Sequence, residues 1–348
     1  MFFIKKKLKI NIENLGVVPD LRPEEAKKKD YKAEEVFSFA PITWEEKPES
    51  NWRKFPIFFQ NQSSSCVAQA VAKALGIENY LEEKKFVHYS ARDIYTRRMN
   101  YPNKGMFFLD AMNIGYKFGA TVEQLMPSQG LNETVMNISS DRTPLTEIIA
   151  KIVKGGNHLS FFSADIEKIA SIIEPAGKPV VLGVRFGPGE WFGEKVPKII
   201  SGVNPIYGHG ICGTTATLYN GKKAIIIEDS AYYDANKEAV RVITEDWFTS
   251  GRIIWAGYYS ALNNNGLETK PIHNFTLNLR FGNKNKEVVW LQRCLSFKKC
   301  FPVGVDFTGY FGGLTLKGVQ LYQILVRLPA TGNVGNLTRS KLNKEFRS

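Results

Sequence analysis

The sequence predicts an α+β chain: a two-lobed domain with a helical lobe and a β-rich lobe, followed by a small three-helix module. Three observations carry this. After Cys66, the residues Val67, Ala70, Val71, Ala74 and Leu75 recur at helical spacing on one face. Strand-like runs gather later, at 179–186, 209–219, 224–228 and 253–259, with Asn220-Gly221 as a hairpin-turn signal between two of them. Near the end, Thr308-Gly309-Tyr310-Phe311-Gly312-Gly313-Leu314-Thr315 recurs as Thr331-Gly332-Asn333-Val334-Gly335-Asn336-Leu337-Thr338. Five of the eight positions are identical at an offset of 23 (331 − 308).

In chain order, residues 1–44 are mixed in charge, with a helix expected from Pro23 to Lys32. They are read as an arm that packs on the domain or docks on a partner, or as an inhibitory pro-segment, with the arm preferred. Residues 45–264 form the two-lobed domain. Ser90-Ala91-Arg92-Asp93 is a capping-box pattern opening a helix expected to reach Met99. Phe108 to Phe118 is a further helix, closed by Gly119. A helix from Asp165 to Glu174 precedes the first strand of the β-rich lobe. Residues 275–348 form the terminal module, opened by the amphipathic stretch Glu287 to Leu295.

Bulk properties narrow the function classes. A chain of 348 residues suits two domains with an additional arm, and 43% hydrophobic residues is ordinary for a globular protein. No stretch approaches the ~18 consecutive apolar residues of a membrane span. Met1-Phe2-Phe3-Ile4 precedes Lys5, Lys6 and Lys7, the reverse of a secretory signal, so the expectation is synthesis in the cytoplasm. Use of only four cysteines, Cys66, Cys212, Cys294 and Cys300, agrees with a reducing compartment. Their spacing fits no metal site, so no metal or other cofactor is expected, and whether Cys294 pairs with Cys300 stays open. Net charge is +12, and residues 271–348 hold twelve Lys/Arg against three Asp/Glu, or +9. That suits an anionic partner such as a cell-wall polymer or nucleic acid.

The chemistry gathers at Gln60-Asn61-Gln62-Ser63-Ser64-Ser65-Cys66. The serines are good N-cap residues, which puts Cys66 in the first helical turn, where free N–H groups and the helix dipole favour a thiolate. Gln60 lies six residues upstream (66 − 60), within reach to form an oxyanion hole with the Cys66 backbone N–H. Gly208-His209-Gly210 follows in a strand-like run, with His209 143 residues after Cys66 (209 − 66). Asp229-Ser230 closes a second such run. Order and spacing resemble the papain family of cysteine peptidases over residues 45–262, on the residues Gln60, Cys66, His209 and Asp229.

The resemblance implies a Cys66–His209–Asp229 triad with Gln60 as oxyanion donor. It also places Gly105, Met106 and Gly208 along the substrate cleft. Asp229 stands where that family usually has Asn, Val67 where it has an aromatic residue, and Ser63 where its secreted members have a disulfide cysteine. The tryptophan that shields the His–Asn bond is replaced by Ala231, with Tyr232 next, which would leave the bond open to water. The terminal module resembles the small peptidoglycan-binding domain of cell-wall hydrolases, a fold that also serves as a protein-docking module.

Together these imply a cysteine endopeptidase acting on a peptide or protein substrate and targeted to peptidoglycan or another anionic wall polymer. Nucleic acid ranks below the wall as partner. A bacteriophage or bacterial origin would follow, with release to the wall or carriage in a virion. The rival reading is a weak or inactive papain-like structural or docking protein, for example of a phage particle.

Overall fold

The computed structural model describes residues 16–20, 22–27, 30, 32–36, 39, 41–152, 158–161, 163–192, 195–231, 240–259, 270–301 and 307–347. The chain divides into two compact units. One joins Met1–Asp141 with Gly155–Leu262, and the other joins Arg142–Lys154 with Asn263–Ser348. A stretch that interrupts the two-lobed domain in sequence therefore groups with the terminal module.

The first unit is built on α1 (Cys66–Glu83). Every residue of α1 from Cys66 to Asn79 is buried, so the helix is enclosed on all sides rather than lying along one apolar stripe. Ala68, Ala70, Ala72 and Ala74 make this possible by letting neighbouring elements approach closely. Val67, Leu75 and Ile77 are fully buried, and each side chain contributes on the order of 1.5–3 kcal/mol by leaving water. Enclosure requires the polar residues to be paired. Lys73 meets Glu228 at 2.7 Å, and Glu78 meets Lys178 at 2.7 Å. α1 ends with Lys84 in the left-handed conformation (φ 55°), its N–H donating to the Tyr80 carbonyl.

Beside α1 lie α2 (Ala91–Tyr95) and α3 (Phe108–Lys117). The Ser90 hydroxyl caps α2 by accepting from Asp93 N, as its sequence pattern implies, but α2 stops four residues short of Met99 (99 − 95). The guanidinium of Arg98 turns back onto the carbonyls of Tyr95, Pro102 and Asn103, which ties the chain into turns there. Among the described residues near the start of the chain, helix is found in the single turns Glu24–Lys27 and Ala33–Val36, and Asp30 and Lys32, at the end of the span expected from Pro23 to Lys32, are not helical. Arg22 instead pins Asp20 and Asp30, each at 2.7 Å. A third single turn, Glu133–Met136, precedes α4 (Pro144–Ile152), which belongs to the second unit.

The second lobe of this unit is an antiparallel sheet. Its strands are β1 (His158–Ser160), β2 (Val180–Phe186), β3 (Tyr207–Tyr219), β4 (Lys222–Glu228), β5 (Val240–Thr244) and β6 (Ile253–Tyr259), in the order β1-β6-β2-β3-β4-β5. The helix α5 (Ile166–Ala176) packs against β3, and the short α6 (Glu245–Thr249) follows β5. Asn220 (φ 49°) and Gly221 (φ 75°) make the turn between β3 and β4, both in the left-handed region that a two-residue hairpin needs. The turn sets Tyr219 opposite Lys222, and a register shift between Gly213 and Thr215 then places Cys212 opposite Glu228. Extended by one pair, the ladder puts Asp229 beside Ile211 on the face that carries His209, one diagonal step away.

In the second unit, α7 (Lys286–Phe297), α8 (Gly313–Leu325) and α9 (Asn336–Phe346) alternate with the two repeats. Each repeat is held by a buried glutamine from the helix before it. Gln292 donates to Tyr310 O and Thr315 Oγ1 and accepts from Gly309 N, all at 3.0 Å. Gln323 donates to Asn333 O (2.8 Å), Thr331 Oγ1 (3.2 Å) and Thr338 Oγ1 (2.9 Å) and accepts from Gly332 N (2.9 Å). Gly309 (φ 70°) and Gly332 (φ 75°) occupy the left-handed turn position. The N-cap positions of α8 and α9 are glycines. Gly312 and Gly335 hold those positions, and Thr315 and Thr338 sit inside the helices as partners of the glutamines. Cys294 and Cys300 are both free thiols.

Candidate active site

Cys66 begins α1, after a loop organised by serines. Ser63 Oγ donates to Gln60 O (2.6 Å) and lies 2.7 Å from Ser65 Oγ, so hydrogen bonds tie the loop at the position where a disulfide was absent from the sequence pattern. Gln60 is buried and fixed at both ends of its amide. Its Nε2 donates to Ser63 O at 2.9 Å, and its Oε1 accepts from Ser230 Oγ at 2.9 Å. The backbone of Ser230 receives the Gln60 N–H at 2.9 Å. Adjacent residues after β4 thus divide the work: Asp229 faces His209, and Ser230 holds Gln60.

On β3, Gly210 lies against α1. A Cβ there would sit 2.9 Å from Val67 Cα, so this position admits no side chain. The close approach brings Gly210 N–H and the His209 ring to the Cys66 sulfur. His209 Nε2 meets Asp229 Oδ1 at 2.6 Å. Its Nδ1 is buried without an aligned hydrogen bond, and Cys66 is the acid that acts on the ring from another side. Asp229 is served by four donors: the imidazole, Ala231 N (3.0 Å), Trp191 Nε1 (2.9 Å) and Arg241 Nη1 (2.9 Å).

Cys66, His209, Asp229 and Arg241 are each 0% exposed. Burial disfavours charge on Cys66, His209 and Asp229, and the attraction among neighbouring charges overrides it. Burial acts to lower the His209 pKa, but the charges of Asp229 and Cys66 push it up to about 10. Burial acts to raise the Asp229 pKa, but His209 and Arg241 hold it well below the usual carboxylate range. Burial likewise opposes the Cys66 thiolate, and His209 with two backbone N–H groups holds that thiol below its ordinary value. Cys212, buried beside Glu228 without such partners, is pushed up.

The expected opening of the His–Asp bond to water is not found. Trp191, from the loop after β2, takes the shielding position that Ala231 leaves empty. Its ring stands edge-on to His209 at 6.0 Å and under the Arg241 guanidinium at 4.7 Å. Arg241 also donates to the Trp191 carbonyl. Tyr232 lies outside the described residues. Trp191 and Arg241 escaped the sequence reading. Trp191 lies in no motif that the sequence pattern singled out. An arginine inside Val240-Arg241-Val242-Ile243-Thr244, a run otherwise suited to burial, was the available signal for the second.

The three expected cleft residues all touch one segment of the same chain, residues 16–18. Val17 pairs parallel with Met106, through Met106 N to Gly16 O (2.8 Å) and Val18 N to Met106 O (3.1 Å). A Cβ on Gly105 would strike Gly16 O at 2.8 Å, and one on Gly208 would strike Val17 Cβ at 2.9 Å. Gly16 also presses on the loop before Cys66, where an added Cβ would lie 1.8 Å from Ser64 O. Alongside is a cavity of about 650 Å³, lined among others by Val17, Pro19, Phe108, Ile206, Trp255 and Arg185. Among the described residues no cluster of His, Cys, Asp and Glu could hold a metal, and no helix is long and apolar enough to cross a membrane.

Comparison with known proteins agrees with this geometry at the level of fold. Residues 284–342 match the family model described as "Putative peptidoglycan binding domain". The chain is similar in structure to xylellain, a cysteine protease from Xylella fastidiosa, at 16% identity and a TM-score of 0.54, covering 71% of this chain and 96% of that one. It is similar to digestive procathepsin L 3 of Tenebrio molitor larval midgut at 13% identity and a TM-score of 0.51, covering 72% and 77%. It is also similar to the ragweed pollen cysteine protease Amb a 11 in its proform, at 18% identity and a TM-score of 0.51, covering 71% and 75%. A search of curated proteins gave no significant match. The fold is papain-like, followed by a helical domain of the peptidoglycan-binding type.

Proposed function

We propose that this chain is a cysteine endopeptidase, kept latent by its own residues 16–18 and brought to peptidoglycan by its C-terminal domain. The observation that carries this is the convergence of a thiol at a helix start, an imidazole and a carboxylate in one buried cluster on a papain-like fold. In the proposed reaction His209 takes the Cys66 proton and Asp229 holds the imidazolium that forms. Cys66 Sγ attacks the peptide carbonyl. The Cys66 backbone N–H and Gln60 Nε2 stabilise the oxyanion, and the amide clamped by Ser63 and Ser230 is preorganised for that role. His209 then gives its proton to the leaving amine, and water resolves the thioester.

Latency follows from the segment over the thiol. With Gly16 packed on Ser64 and Val17 paired to Met106, a substrate strand reaches the sulfur only after residues 16–18 move. The contact of residues 16–18 with the expected cleft residues supports the pro-segment reading of residues 1–44 over the docking arm. The +9 charge of residues 271–348 supports attraction to an anionic wall polymer.

The test is labelling with an epoxide aimed at papain-type thiolates. The Gly16→Leu protein, in which the segment collides with Ser64, should be modified at Cys66 much faster than the parent. The same protein with Cys66→Ala should not be modified at all. Equal, slow labelling of the parent and Gly16→Leu proteins would contradict latency, and modification at another residue would contradict the nucleophile.

A further inference from the structure

The proposed triad holds an acid at its third place, and the structure contains a cation that changes what that acid means. Count the formal charges in the reactive state of the cluster. Cys66 carries −1, His209 +1, Asp229 −1 and Arg241 +1, which sums to zero, with all four side chains shut off from solvent. Without Arg241 the same cluster would carry −1. A buried group left uncompensated discharges by taking a proton. The thiol, with an ordinary pKa of about 8.5 against about 3.9 for the carboxylate, is the group that would take it.

The geometry of Arg241 fits this role. Nη1 bonds Asp229 Oδ2, the oxygen that His209 does not use, while His209 bonds Oδ1. The guanidinium is pinned by the Trp191 carbonyl and ring, and β5 supplies it from the side of Asp229 away from His209 in the ladder. The other charges in the neighbourhood are already matched. Glu228, next to Asp229, pairs with Lys73, and Glu190, next to Trp191, pairs with Arg252 at 2.7 Å. Arg185, one residue from the β2 partner of His209, is exposed to solvent. The groups that act on the His209 ring are Cys66 and Asp229.

We infer that Arg241 is a positioning residue: with Asp229 it forms a net-neutral unit that holds the imidazole as a neutral amide would, and so lets the Cys66 thiolate exist beside an acid. The inference rests on the peptidase reading for what the thiolate does. Its test needs no substrate, so the two can fail separately.

The test is titration of the Cys66 thiolate in the full-length protein, read as the thiolate ultraviolet absorbance that disappears in a Cys66→Ser background. Arg241→Gln removes the cation and should raise the thiol pKa, leaving about tenfold less thiolate, or lower still, in the rising part of the curve. Asp229→Asn leaves the cation unopposed and should lower it. Arg241→Lys keeps the charge and should leave the curve in place. The Asp229→Asn, Arg241→Gln double protein should return close to the parent curve, which a merely structural arginine would not produce. An unmoved titration in Arg241→Gln, or a double protein displaced by more than either single change, overturns the inference. Should Arg241→Gln fail to fold, the double protein decides, because it removes the ion pair whole. Absence of peptide hydrolysis alongside the expected titrations would count against the peptidase reading alone.

Discussion

At Asp229 four donors converge on one buried carboxylate, while at Gln292 and Gln323 one buried amide serves each loop of the terminal domain. Both arrangements place a polar side chain at the centre of a packed region and satisfy it almost entirely from within the protein. They differ in charge. The amide is cheaper to desolvate and does not ionise in the ordinary pH range, so it is suited to holding a loop in one shape at any pH. The carboxylate is costly to bury and needs two cations, but it biases a neighbouring proton. In this pair of regions the buried charge of Asp229 sits where the proposed chemistry moves a proton, and the amides of Gln292 and Gln323 sit where a loop's geometry must be held.

The largest effect that would break this contrast is on turnover. Asp229→Ala should reduce kcat by on the order of 10⁴-fold, the scale seen when a triad loses its orienting acid. KM should change much less, because Asp229 acts on the transition state. A change confined to KM, measured with a peptide ester on protein freed of residues 16–18, would show that Asp229 merely lines the substrate site.

A smaller effect is expected at the amides. Gln323→Ala leaves Gly332 N, Asn333 O and two threonine hydroxyls to find new partners. Each group left buried and unsatisfied costs about 1–3 kcal/mol, so hydrogen exchange in α8 and α9 should speed up while the first unit is unchanged. The pH dependence sharpens the comparison. The Asp229 pKa is depressed on folding, so its contribution is present above the ordinary carboxylate value of ~3.9 and lost as pH falls further. The His209 pKa is raised, so its contribution is full below ~6.5 and lost as pH rises through about 10. Protection around β3 should fall at both edges. Protection of the Gln292 and Gln323 loops should not follow either one.

How much of this was legible in the sequence depends on whether a role leaves a local pattern. The α+β organisation did, because enclosed helices and hairpin strands have periodicities and turns, and Asn220-Gly221 fell at the β3–β4 turn. Cys66, His209, Asp229 and Gln60 stand out because their types and spacing form a set, and the structure brings His209 to Asp229 and Gln60 to the neighbouring Ser230. β1 was missed because three residues carry no alternation, and β5 because Arg241 breaks its apolar run. The shield was expected to be absent because the expected site holds Ala231. Trp191 arrives from a loop after another strand, a contact that only tertiary structure sets. Residues 16–18 were unreadable for a similar reason. They act through backbone N–H and C=O groups and through the absence of a side chain at Gly16, features that a sequence pattern does not weight.

The central claim is that Cys66 is a peptidase nucleophile covered by residues 16–18, and one measurement addresses it most directly. Release of acid-soluble peptides from an unfolded protein substrate is followed for the parent, Gly16→Leu, and Gly16→Leu with Cys66→Ala. The account predicts that Gly16→Leu exceeds the parent by at least about tenfold, the factor gained when a scarce open state becomes common. It also predicts that the added Cys66→Ala reduces turnover to background. Turnover that survives Cys66→Ala, or a Gly16→Leu protein that folds and labels at Cys66 yet cuts nothing, would contradict it.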